Sequence, residues 1–125
     1  MDLATLKQQI AAARAFDVTL GAMVFTLNLP NDHDWRAGLE AHRDAAGRLL
    51  EAQAFRAMLT HALTGWRGVV MSDVLTEADD SPLPFNDDTR ALLLDHRQDI
   101  ADELTIALAL KRRERIDARE AARKN

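Results

Sequence analysis

Near the middle of the chain, Gly65-Trp66-Arg67-Gly68-Val69-Val70 is followed by an acidic run and then by Pro82-Leu83-Pro84-Phe85-Asn86-Asp87-Asp88. Two of the five glycines and two of the three prolines fall in these two segments, with one of the two tryptophans. Glycine frees the backbone and proline stiffens it, so the chain must turn here and helices must stop on either side. Gly65 is expected to close the preceding helix as a left-handed cap, with Trp66 folding back on the last turn near Ala62 and Leu63. Asn86 is expected to cap the following helix, with Asp87 and Asp88 at its positive end and Phe85 as a staple against Arg90 or Ala91. Gly65, Gly68, Pro84 and Asn86 thus read as a structural joint.

On the N-terminal side, residues 2–15 read as a short helix. Asp2 can cap it, and Leu3, Leu6, Ile10 and Ala13 recur at spacings of three and four. A helix of three to four turns is marginal alone, so it is expected to dock on the body. Residues 16–29 change period: Phe16, Val18 and Leu20 alternate with Asp17 and Thr19, Gly21-Ala22 intervenes, and Val24 to Leu29 is rich in β-branched and apolar side chains. That pattern fits a β-hairpin turning at Gly21, while one continuous helix from Asp2 is the rival reading. Pro30 ends the segment either way.

A long central helix is expected over residues 31–64, capped by Asn31 or Asp32 and carrying the stripe Trp35, Leu39, Phe55, Met58, Leu59 and Leu63. Gly38 and Gly47 weaken it and mark close packing or a break near Gly47. After the joint, Leu92, Leu93 and Leu94 belong to one helix. Polar residues 95–99 interrupt the pattern, and Ile100, Leu104, Ala107 and Leu108 form a new stripe. The fold class is therefore mainly α with a short N-terminal hairpin, an α+β domain over residues 1–110 with the central helix packed on a C-terminal helix pair. Residues 111–125 form a charged tail, either a protruding helix or frayed.

Composition narrows the function. There is no cysteine, so disulfides, thiol catalysis and zinc-thiolate sites are excluded. The histidines His33, His42, His61 and His96 make no His-Glu-x-x-His pattern, and Ser72 and Ser81 lack a nucleophile-elbow context. The acidic loop lacks the spacing of a calcium loop. No enzyme activity, metal or cofactor is expected. Neither a secretory leader nor an apolar run of membrane-spanning length is seen, so a soluble chain without a membrane partner is expected, and the missing cysteines are compatible with a reducing cytoplasm. The tail holds seven basic against three acidic residues and the remaining chain nine against seventeen, so the body is acidic. A helix beginning Asn86-Asp87-Asp88 would face phosphates with carboxylates, and nucleic acid is not an expected partner of the domain.

The motifs at the joint resemble those of the small tail assembly chaperones of long-tailed phages. These carry a Val/Leu-x-Gly-Trp-x-Gly-Val segment at a helix end and a Pro-Phe-Ser/Asn-x-Glu/Asp segment leading into a Leu-rich helix. Here they read Leu63-Thr64-Gly65-Trp66-Arg67-Gly68-Val69 and Pro84-Phe85-Asn86-Asp87-Asp88. Val24-Phe25-Thr26-Leu27-Asn28-Leu29-Pro30 is similar to the family's strand running into a proline. The resemblance implies a non-enzymatic role in virion assembly in the host cytoplasm: binding the tape measure protein before the tail tube polymerises, with self-association as a further partner mode. On that reading Trp66, Val69, Met71, Phe85, Leu92 and Leu93 are candidates for an apolar groove that receives a helix. The competing reading of Trp66 and Phe85 is that they pin two helices together. Competing functions are a structural or head-tail connecting protein retained in the virion, and a small nucleic-acid-binding regulator acting through the tail.

Overall fold

A computed structural model describes residues 1–124. The elements in order are α1 (Leu3–Arg14), β1 (Ala15–Leu20), β2 (Met23–Asn28), α2 (Asp32–Glu40), α3 (Glu51–Ala62), β3 (Leu63–Arg67), a single 3-10 turn (Met71–Asp73), α4 (Asp87–His96) and α5 (Gln98–Lys124). The fold is mainly helical, with one small antiparallel sheet in the order β1-β2-β3.

The hairpin forms where the period of two indicated it. Gly21 takes φ +62° at the first position of a two-residue turn, which only glycine enters without strain. Opposite pairs Phe16 with Leu27, Val18 with Phe25 and Leu20 with Met23 put apolar side chains on one face. Asp17 and Thr26 face each other on the other side, where the Thr26 hydroxyl donates to Asp17 at 2.9 Å. Phe25 and Leu27 are fully buried, so β2 is the central strand of the core face.

Two expectations are corrected in the centre of the chain. The long helix over residues 31–64 is two helices. Asn31 caps α2, accepting from the Asp34 amide at 2.7 Å, but α2 ends at Glu40. Residues 41–50 reverse the chain through a turn with Gly47 at φ +81°, closed by Arg43, which donates to Gly47 O and pairs with Glu40. Asp44 accepts from the Ala46 and Arg48 amides inside that turn. The break near Gly47 therefore wins over continuity, and α2 packs back on α3, with Trp35 edge-on to Phe55 at 6.1 Å. The second correction concerns Gly65. It lies inside a third strand and has no left-handed backbone. Helix α3 ends at Ala62 because Leu63 turns extended and joins the open edge of β2, pairing with Leu27 while Trp66 pairs with Phe25.

Helix α4 begins as expected. Asn86 and Thr89 cap each other reciprocally, each side chain accepting the other's amide at 2.9 Å. Its break from α5 falls at Arg97, whose guanidinium donates to Asp73 O at 2.7 Å and to both carboxylate oxygens of Asp99. That hydrogen-bonded guanidinium holds the Asp99 carboxyl at about 2, below its ordinary 3.8. A carboxyl with a depressed folded pKa contributes stability above its unfolded value and loses it as pH falls through the folded one. Acid unfolding is therefore expected to show a contribution that fades between about pH 4 and about pH 2 and is missing from Asp99→Asn, with the site itself checked by carboxyl NMR titration.

Helix α5 buries Ile100, Ala101, Leu104 and Leu108 against the sheet and α3. It continues without a break through Lys124, so residues 111–124 extend the same helix. Arg112 stacks 4.7 Å over the Trp35 ring, Arg119 reaches Asp32 at 2.9 Å, and Arg115 donates to Ala13 O. At the other end of the chain, α1 departs from expectation. Asp2 caps it through the Thr5 amide at 2.7 Å, but no residue of α1 is buried. Leu3, Leu6 and Ile10 are 65%, 43% and 46% exposed. The apolar stripe is real, and no described element of its own chain buries it.

Candidate functional site

The candidate residues around the joint separate into three groups. Trp66 is half-buried and central: its ring stands edge-on to Phe25 at 6.3 Å and to Phe85 at 4.8 Å, and its indole N–H donates to Leu83 O at 2.8 Å. Leu83 N in turn donates to Val69 O, and Val70 bridges Pro82, so the segment before α4 is laid along the continuation of β3. Phe85 meets the Arg90 guanidinium at 5.8 Å, the geometry of the expected staple, and Arg90 reaches back to Leu63 O. Pro84 supplies the acceptor for Thr89 Oγ1 at 2.6 Å. Trp66 and Phe85 therefore pin the sheet edge to the start of α4, rather than one helix to another.

Val69 and Leu93 are buried in the core and reach no external molecule in this conformation. Met71 and Leu92 are exposed apolar side chains. In the loop that follows Met71, the three aspartates are occupied locally. Asp73 accepts from Val70 N, Asp79 from Ser81 N and Asp80 from the Ser72 hydroxyl at 2.6 Å. Gly68, at φ +75°, is where the backbone crosses the hairpin turn: a Cβ there would stand 2.1 Å from Ala22 O.

A more open apolar surface lies elsewhere. Between α2 and α3 runs a trough of about 590 Å³. Ala37, Gly38 and Ala41 form one wall and Ala57, Met58 and His61 the other, with Asn28 and Pro30 at one end. The small side chains of α2 let the two helices approach closely at Gly38, where a Cβ would meet Met58 Cγ at 2.9 Å. The polar groups are Asn28, whose buried Oδ1 has no hydrogen-bond partner, Asp34, His61 and His42, whose Nδ1 lies 2.9 Å from Gly38 O and satisfies a carbonyl of the last turn. The volume is that of a ligand pocket, but the trough has no cluster of convergent polar groups to orient a small molecule. Its shape suits the apolar ridge of a helix.

No family model matches the chain, nor does any curated protein or solved structure. Sequence reasoning did not reach the trough, because its walls face each other only once the chain reverses at residues 41–50. The available signal was Ala37, Gly38 and Ala41, small residues within one helical turn on one helix, answered by Ala57 on the next.

Proposed function

We propose that the chain is a tail assembly chaperone of a long-tailed phage, a non-enzymatic protein that binds a helical segment of the tape measure protein in the host cytoplasm. The observation that carries this reading is the α2–α3 trough, a mostly apolar groove of about 590 Å³ whose walls are Ala37, Gly38 and Ala41 on one side and Ala57, Met58 and His61 on the other. A tape measure protein is long and helical, and before the tube assembles its apolar stripes need covering. A trough of small side chains accepts such a stripe with little demand on its sequence. The resemblance at residues 63–69 and 84–88 adds support, since both segments belong to one joint in the fold.

The trough replaces the joint as the docking surface in this reading, because Trp66 and Phe85 are engaged in packing and Val69 and Leu93 are interior. The charged tail offers less to a nucleic acid than its composition implies. Lys111 pairs with Glu114, Arg113 with Asp117, and Arg112 and Arg119 with Asp32.

Tiling peptides of a tape measure protein, titrated against the chain and followed by fluorescence anisotropy, test the proposal. Ala37→Arg and Ala41→Arg place a cation at exposed positions of the trough and are expected to leave the fold intact. Each is expected to weaken binding at least about tenfold, or about 1.4 kcal/mol. Peptide binding indifferent to both substitutions would sink the trough as the site. Stoichiometric presence of the chain in purified virions would favour a retained structural protein instead.

A further inference from the structure

We propose that α1 is an exchange arm: it seats its Leu3-Leu6-Ile10 stripe in the α2–α3 trough of a second copy, closing a twofold dimer. Helix α1 has twelve residues, none buried, and so short a helix is marginal in water unless its apolar face is covered. The trough is the complementary feature of the same chain, a mostly apolar groove of about 590 Å³ that no described element fills. The charges agree with this pairing. Lys7 lies beside Leu3 and Ile10 on the helical stripe, and the acidic group lining the trough is Asp34.

Position makes the exchange reciprocal. Helix α1 leaves the body at Arg14, whose carbonyl accepts from Leu29 N, and Ala15 pairs with Asn28. Asn28 and Pro30 also form one end of the trough. The base of the arm and the mouth of the groove thus share a corner, and a twofold axis passing beside that corner brings both arms to both grooves together. Area favours this arrangement over pairing of two α1 helices. One contact along a helix about 18 Å long falls short of the roughly 1,200–2,000 Å² of a specific interface, and two reciprocal contacts double it.

The inference shares the trough with the proposed function but stands without any tape measure protein. Sedimentation velocity from low to high micromolar concentration is expected to show a monomer–dimer equilibrium. Leu6→Asp/Ile10→Asp, at exposed positions, is expected to weaken dimerisation at least about tenfold, because a seated carboxylate would be buried unpaired. The helical signal is expected to fall by no more than the share of α1, with the thermal melt of the body kept. Since the chain has no cysteine, Ile10→Cys chains mixed with Ala37→Cys chains are expected to give a crossed disulfide on oxidation. A monomer at every concentration overturns the proposal. So does a dimer indifferent to Leu6→Asp/Ile10→Asp, an Ile10→Cys chain that crosslinks only to itself, or a double-cysteine chain that closes within one molecule. Peptide binding by Leu6→Asp/Ile10→Asp, measured separately, distinguishes loss of the arm from loss of the trough.

Discussion

Gly68→Ala is expected to destabilise the chain by at least about 2 kcal/mol, while Gly65→Ala stays within about 0.5 kcal/mol of wild type. Two separate costs meet at Gly68. Its φ of +75° is a left-handed conformation that costs an L residue about 1–2 kcal/mol. The added Cβ would also stand 2.1 Å from Ala22 O, a backbone atom held by the two-residue hairpin turn. A side-chain neighbour could rotate away, whereas Ala22 O moves only if the turn is remade. Gly65 lies in β3 with no left-handed φ and nothing within 4 Å of its would-be Cβ. Urea melts of the two variants measure the contrast. Equal losses at both positions would overturn the account of the joint.

Trp66→Ala is expected to cost about 3 kcal/mol, and Trp66→Phe about 1 kcal/mol. The alanine variant loses the edge-on contacts to Phe25 and Phe85 and the donor to Leu83 O together. Phenylalanine keeps most of the ring contact and loses the hydrogen bond. Because Trp66 anchors the segment before α4, proteolysis of the alanine variant is expected to begin in residues 71–85, ahead of cuts elsewhere. Should binding of tape measure peptides fall more steeply than the folded fraction in Trp66→Phe, a direct contact with the partner is indicated, contrary to the pinning role.

Local signals were legible where one short segment decides the outcome. Asp2, Asn31 and Asn86 each cap a helix with their own side chains. Gly21 turns the hairpin, and Phe16, Val18 and Leu20 show the face that packs on the core. Features that depend on distant partners were not legible. Leu63 to Arg67 becomes a strand because β2 offers an unpaired edge far back in the chain, and nothing in those five residues announces it. The left-handed glycine of the joint is Gly68 rather than Gly65, and its close approach to Ala22 O exists only once the hairpin lies against it.

The exposed α1 stripe shows a different limit. Apolar residues at spacings of three and four look alike whether a helix docks within its own chain or on another molecule. The trough had a local cue in its small residues, but small residues on a helix report close approach without naming the neighbour. Gly38 marked close packing, and the structure supplies Met58 as that neighbour. The tail reads as charged surface in sequence, yet Arg112 and Arg119 are placed by Trp35 and Asp32.

The pairing of β3 with β2 has a consequence for the order in which the molecule is made. Joining Leu63 to Leu27 closes a loop that contains all of α2, the turn at Gly47 and α3. The hairpin can form early from neighbouring residues, but this closure joins distant ones and carries the larger entropy cost. The two walls of the trough are held together inside that loop. The long-range closure at Leu63 and Leu27 therefore fixes where the finished groove sits relative to the sheet, although its two walls are neighbours in sequence.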